Sequence, residues 1–252
     1  MTLRERLLAG ERLVGTVLAL PDVTLAELGA APFDLVWIDL EHGALGMREV
    51  QELTIAVQRA GCAAAVRLPR WDSDRLPAVL DAGPDAVVAP GVDSAEEARE
   101  LTSRLRYPPD GRRGYGPRRA GGYGRDEHAA QPACLVQIET RGGIAGAAAI
   151  AALPGVDALV AGCSDLSFAL GAPRDLTTPA MAEAIEAIAG AATAAGIAFG
   201  VAGAGPADEL AALAGSRATL LVHSVDMRLY AQAMDDVAAR ARAALEERRV
   251  RA

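Results

Sequence analysis

Leu35-Val36-Trp37-Ile38-Asp39-Leu40-Glu41-His42-Gly43 is an apolar run of strand length that closes on three ionisable side chains and a glycine. As a strand it places Asp39 and Glu41 on one face by its period of two, with His42 following on the loop. Seven further runs rich in Val, Ile, Leu and Ala surround it: 13–20, 64–69, 86–91, 134–139, 158–163, 197–202 and 218–224. Helix-compatible segments lie between most of them, so the pattern is that of repeated βα units around a parallel sheet. Eight units imply closure, and 252 residues suit one barrel core over the whole of 1–252. The expected architecture is a single (β/α)8 barrel. Helix starts such as Asp93-Ser94-Ala95-Glu96-Glu97 and stops such as Ala60-Gly61 and Ala195-Gly196 carry the capping grammar, and 227–251 reads as one long final helix. The competing open, doubly wound sheet carries a glycine fingerprint after its first strand, and Leu20-Pro21-Asp22 has none.

Composition narrows the function. The formal net charge is −8, which argues against a nucleic-acid or anionic-membrane surface and favours small soluble partners. No stretch combines the length and freedom from charge needed to cross a bilayer, and the first residues lack an apolar signal core, so a cytoplasmic protein is expected. Cys62, Cys134 and Cys163 have no C-x-x-C spacing and read as reduced packing residues. All 25 basic residues are arginine. With no lysine, a Schiff base is excluded, and with it pyridoxal phosphate chemistry and imine-forming aldolases. The segment 104–128 departs from the rhythm, with seven arginines and six glycines among its tyrosines and prolines. An RNA-binding stretch is one reading of it; a long functional or interface loop is preferred, because the segment is short, internal and flanked by barrel units.

A barrel builds its site where strands end, so polar residues that interrupt those ends are the candidates. Asp39, Glu41 and His42 form a carboxylate and imidazole group suited to general-base work, or else cap the next helix. In Ala63-Ala64-Ala65-Val66-Arg67, Arg67 shares a face with two small residues and can reach the mouth, either toward an anionic substrate or toward a structural carboxylate. Gln137 and Glu139 end the fifth run on one side, and Asp165 lies just beyond the sixth. Neighbouring strands are about 4.8 Å apart, so Glu139 and Asp165 can share one hard divalent cation, for which magnesium, manganese or cobalt is suited. Zinc is disfavoured without histidine and cysteine ligands. The Ser164 and Asp165 amides open a helix and can hold a substrate carboxylate. His223 reads as a satisfied core histidine, and His128 sits in the arginine-rich loop.

The motifs Trp-Ile-Asp-Leu-Glu-His-Gly, Val-Arg-Leu-Pro, Val-Leu-Asp-Ala-Gly, Arg-Tyr-Pro-Pro-Asp-Gly-Arg-Arg-Gly, Gln-Ile-Glu-Thr and Gly-Cys-Ser-Asp-Leu-Ser occur in this order between Leu13 and Met234. Together they resemble the HpcH/HpaI aldolase family. The resemblance implies a metal-dependent barrel aldolase acting on a pyruvate-type 2-keto acid and an aldehyde, often hexameric with swapped C-terminal helices. It implies that His42 accepts the proton, Asp81 raises its basicity and Arg67 stabilises developing negative charge. Gln137 and Ser164 would contact the keto acid, and Glu139 and Asp165 would hold the metal. Cys163-Ser164 departs from the proline-containing sequence of many relatives, and Arg70-Trp71 after the third run is expected to shape the acceptor pocket. Rival readings are a related barrel enzyme condensing an oxaloacetate- or acyl-CoA-derived unit, and a barrel that binds a keto acid or RNA without catalysis.

Overall fold

The computed structural model describes residues 1–126 and 131–250. Eight parallel strands close into a barrel in sequence order. They are β1 (Leu13–Leu18), β2 (Leu35–Asp39), β3 (Ala63–Arg67), β4 (Ala86–Ala89), β5 (Ala133–Ile138), β6 (Ala158–Gly162), β7 (Ala198–Gly203) and β8 (Leu220–Val225). Each coincides with one of the eight apolar runs. The helices are α1 (Leu3–Leu8), α2 (Val23–Ala30), α3 (Met47–Arg59), α4 (Leu76–Ala82), α5 (Ala95–Leu105), α6 (Arg141–Ala151), α7 (Cys163–Ala169), α8 (Pro179–Ala195), α9 (Ala207–Ala214) and α10 (Asp226–Val250). The long final helix is α10, and His128 lies outside the described residues.

The strand period of two sorts side chains into two cores. One lies between sheet and helices and includes Val36, Ile38, Val66, Val87, Val136 and Ile138. The other fills the barrel with Leu35, Trp37, Leu135, Val160 and Val222 set among the small Ala65, Ala86, Ala133 and Ala158. Small residues facing large ones let the layers interdigitate. Helix α1 supplies the floor, since Leu3 and Leu7 are buried against this inner core. Burial of each contributes roughly 2 kcal/mol. The capping box of α1, with Thr2 and Glu5 bonding each other's backbone amides, announces this helix in the sequence.

The arginine-rich segment is a strap tied to the barrel wall. Arg106 donates to the Pro132 carbonyl and the Asp157 carboxylate. Arg113 donates to the Leu80 carbonyl and stacks over Tyr107 at 4.5 Å, while Arg119 donates to the Ala82 carbonyl and the Gln58 side chain. These arginines hold the strap against α4 and the floor. Trp71 packs on the outer core and Arg70 pairs with Asp72. Neither lines the mouth cavity described below, so the pocket-shaping role expected of them has no support in one chain.

Candidate active site

At the C-terminal mouth the inward face of several strands changes from apolar to polar. On β2, Leu35 and Trp37 give way to Asp39; on β3, Ala63 and Ala65 give way to Arg67; on β5, Leu135 gives way to Gln137 and Glu139. Asp39 and Arg67 are directly opposite in the β2–β3 register. Arg67 Nε donates to Asp39 Oδ1 at 2.9 Å and Nη2 to Oδ2 at 2.7 Å, a two-pronged grip on a carboxylate that is only 2% exposed. Arg67 Nη1 is 2.9 Å from Glu41 Oε2, an ion-pair distance whose angle leaves that oxygen without a directed hydrogen bond. Of the two partners weighed for Arg67, the structure supplies carboxylates of its own chain. Asp39 and Glu41 therefore orient the guanidinium, and the aromatic floor of Trp37 lies beneath it in the same cavity.

The register brings the fifth and sixth strands' ends to one level, with Ile138 opposite Ala161. A Cβ placed on Gly162 would lie 2.8 Å from Glu139 Oε2 and 2.7 Å from Gln137 Nε2, so glycine is what lets both side chains lie across the end of β6. Gln137 Nε2 donates a hydrogen bond to Glu139 Oε2. Burial, with the carboxylates of Glu41 and Asp165 close by, pushes the Glu139 carboxyl up to about 7 against the opposing effects of Gln137 and Arg67. Glu41 is also raised, chiefly by burial. Asp165 stands exposed in the first turn of α7, beside Ser164.

A cavity of about 320 Å³ opens among Asp39, His42, Arg67, Gln137, Ser164 and Asp165, over the end of β8 at Ser224. His42 follows β2 on an exposed turn, and Gly43 makes that turn possible, since a Cβ there would meet the Asp39 carbonyl at 2.2 Å. The candidate residues His42, Arg67, Gln137, Ser164 and Asp165 thus line one space, and Glu139 lies behind its lining, hydrogen-bonded by Gln137. Asp81 is not among them. It lies on α4, which runs away from the mouth, and lines a separate cavity with Arg104, Arg112 and Arg113. His223 Nε2 meets the Gly205 carbonyl at 2.9 Å and is satisfied there. Ser224 is a polar lining residue that the sequence did not flag; its left-handed φ of 67° marks it, and no sequence signal does.

The donors present fit a hard divalent cation. Glu139, just past β5, is raised by burial and by the nearby carboxylates of Glu41 and of Asp165 in the first turn of α7, a cost that a cation relieves. Gln137 Oε1 is buried without any donor, beside them. Among the described residues no group of three or more histidine, cysteine or acidic side chains is arranged as a metal cage. Two carboxylates with water and substrate oxygens are the set that a magnesium-like ion accepts, and not a zinc cage.

Comparison with known proteins places the chain in a family. Residues 19–233 match the family model described as HpcH/HpaI aldolase/citrate lyase. A hydroxypyruvate/pyruvate aldolase of Roseobacter denitrificans is 36% identical over 68% of this chain and 70% of its own length. A 2-keto-3-deoxy-L-rhamnonate aldolase of Klebsiella pneumoniae is 34% identical over 91% of this chain and 88% of its own. The crystal structure of a HpcH/HpaI aldolase/citrate lyase family protein from Burkholderia cenocepacia superposes with a TM-score of 0.89 at 30% identity, covering 95% of this chain and 98% of that one. The chain accordingly belongs to the HpcH/HpaI aldolase/citrate lyase family of carbon–carbon lyases.

Proposed function

We propose that this barrel is a metal-dependent class II aldolase, which cleaves or forms the carbon–carbon bond between a pyruvate-type 2-keto acid and an aldehyde. The observation that carries this reading is that Asp165, Arg67 and His42 line one mouth, with Glu139 near enough for Asp165 and Arg67 to act on its charge. Glu139 and Asp165 would hold magnesium, manganese or cobalt. When bound, such a cation supplies Lewis-acid polarisation of the keto acid's oxygens.

The chain's own residues account for the rest. The amides of Ser164 and Asp165 at the start of α7, together with Gln137, receive the keto acid's carboxylate end. Arg67, locked by Asp39 and Glu41, presents its remaining N–H groups where negative charge develops on the keto oxygen. In the cleavage direction His42 takes the proton of the substrate's hydroxyl at C4. The C3–C4 bond then breaks, its electron pair stays with the three-carbon fragment as an enolate, and the other fragment leaves as an aldehyde. Protonation of that enolate at C3 gives pyruvate; condensation runs the same steps backward. No lysine is available for an imine route.

The family likeness gives Asp81 the task of raising the basicity of His42. Within one chain the two line different cavities, so this task falls to Asp81 of a second copy in our reading. The assembly proposed is a homohexamer with exchanged C-terminal helices. Its support is α10, where Met227, Tyr230, Met234 and Val237 repeat at helical spacing and are exposed, while the helix packs within its own chain chiefly against β8 and β1. A single catalytic domain over 1–252 in the cytoplasm completes the reading; buried free thiols at Cys62, Cys134 and Cys163 accord with a reducing compartment. Among the described residues no helix is long and apolar enough to cross a membrane.

The test is direct. Purified protein with manganese, given a 4-hydroxy-2-keto acid, should release pyruvate and aldehyde in equal amounts. Turnover that requires a CoA ester, or binding of keto acid without any turnover, would replace this reading by one of its rivals.

A further inference from the structure

The mouth is polar over part of its circumference only. Its charged and amide-bearing side chains come from the ends of β2, β3 and β5 and the start of α7, whereas the arc from β7 through β8 to β1 presents Val17, Ala19, Ala202, Val225 and Met227. Within that arc one polar side chain lines the cavity, the hydroxyl of Ser224. Ser224 continues the inward alternation of Leu220 and Val222 on β8, and the register against β1 slips beside it: Gly15 pairs with Val222, but Val17 pairs with Val225. A bulge of this kind re-aims a side chain where a strand meets a site. The backbone of Ser224 has a φ of 67°, a left-handed conformation that glycine takes freely and serine does not. Although the residue is only 5% exposed, its hydroxyl is not among the fully enclosed atoms that lack a partner, so it is reached from the cavity. Among the described residues nothing hydrogen-bonds to it. A free hydroxyl held at a conformational cost on the wall of a cavity is placed for something that enters the cavity.

The seating of the keto acid decides what meets this hydroxyl. C2 of a 2-keto acid is planar and carries three substituents: the carboxylate, the keto oxygen and C3. With the carboxylate at the amides that open α7, and the keto oxygen at Arg67 on β3, two of the three directions are taken. C3 is then turned toward the part of the mouth that neither occupies, the wall of Val17 and Ser224 on β1 and β8. His42 follows β2, the neighbour of β1 in the barrel, and borders the same wall on the side where C4 is attached. Ala202, small and inward on β7, leaves room beside Ser224 for a substituent on C3.

We propose that Ser224 is a specificity-determining residue, whose hydroxyl recognises a hydroxyl group on C3 of the keto acid. This rests on the aldolase reading above and names the donor substrate that the site prefers: a 2-keto acid with oxygen on C3, taken ahead of one with carbon in its place. A hydroxyl both donates and accepts, so Ser224 can pair with it in either sense. A methyl group in the same position shuts the serine off from water and leaves it unpaired in an otherwise apolar wall. The bonds made and broken are those given above, with C3 carrying its hydroxyl throughout.

The experiment compares 3-hydroxypyruvate with 2-oxobutanoate, in which a methyl of similar size replaces the hydroxyl, and with pyruvate. Each is condensed with glycolaldehyde and with acetaldehyde by the manganese-loaded enzyme. The readouts are the ratio of kcat/KM for hydroxypyruvate over 2-oxobutanoate, the corresponding ratio of dissociation constants from calorimetry, and the melting temperature. In the wild type the kcat/KM ratio should exceed roughly ten, the effect of one hydrogen bond together with the cost of an unpaired partner. Ser224→Ala and Ser224→Gly should each lower both ratios by roughly tenfold. Ser224→Gly also relieves the left-handed conformation and should melt no lower than the wild type, so the lost preference is not the mark of a weakened fold. A wild-type ratio near one, or a preference that both variants keep, would overturn the proposal while leaving the aldolase intact. Absence of turnover with all three keto acids and both aldehydes would instead remove the aldolase reading on which it rests.

Discussion

At the scale of single residues the site is a balance of charges. Arg67 faces Asp39 and Glu41 in a space where all three are largely withdrawn from water. Arg67→Ala leaves two carboxylates without their cation and should cost about 3–5 kcal/mol of stability, the usual penalty for breaking a buried pair. Arg67→Lys keeps the charge but cannot grip Asp39 with two parallel bonds; it should fold, with most of the kcat lost and a smaller change in KM. Thermal unfolding and steady-state kinetics on both variants check this. Glu139 gives a dependence on pH. Its carboxyl, held at about 7 by burial and by Glu41 and Asp165, binds a proton in the folded chain that it would release near 4.5 when unfolded. The sign follows: without metal, this group contributes stability below its unfolded value, and that contribution is lost as pH rises through about 7. The same proton competes with a cation, so manganese affinity should climb between pH 6 and 8 and then level off. Calorimetric titration at several pH values measures it, and affinity independent of pH over that range would count against Glu139 as a ligand.

Elements decide which of these residues meet. Strand β6 ends in Gly162 so that Gln137 and Glu139 of β5 can lie across it. Gly162→Ala should leave the barrel folded yet push both side chains aside, lowering metal affinity at least tenfold, since such a Cβ sits inside normal contact distance of two polar atoms. Far-ultraviolet dichroism beside metal titration separates the two effects. The eight strands and α10 were legible because each is a run of one period bounded by glycines and caps. Mouth residues were legible for a related reason: Asp39, Arg67, Gln137 and Glu139 break an apolar alternation where a strand ends. What was hidden depends on contacts distant in sequence. Nothing in Arg67 itself tells that Asp39 and Glu41 would claim it, since that follows from the β2–β3 register. Asp81 illustrates the converse, because the motif that holds it names a role while α4 carries it away from the mouth.

At the scale of the whole molecule, the proposed pairing of Asp81 with His42 spans two chains. If Asp81 of one copy serves His42 of another, His42→Ala and Asp81→Ala should each lose roughly 10²-fold or more in kcat. Mixed, dissociated and reassembled, the two inactive proteins should recover activity toward about a quarter of the wild type, because some interfaces then unite an intact His42 with an intact Asp81. Recovery absent from a verified mixed oligomer would return Asp81 to a structural role on α4. The barrel, the strap and the exposed stripe of α10 all frame the same mouth, and the central claim remains that Glu139 and Asp165 there hold the cation on which turnover depends. The most direct measurement is activity after exhaustive chelation, followed by titration with manganese, magnesium or cobalt. Turnover should vanish and return at one ion per chain in the wild type, and fail to return in Glu139→Gln and Asp165→Asn. Undiminished turnover in excess chelator would contradict it.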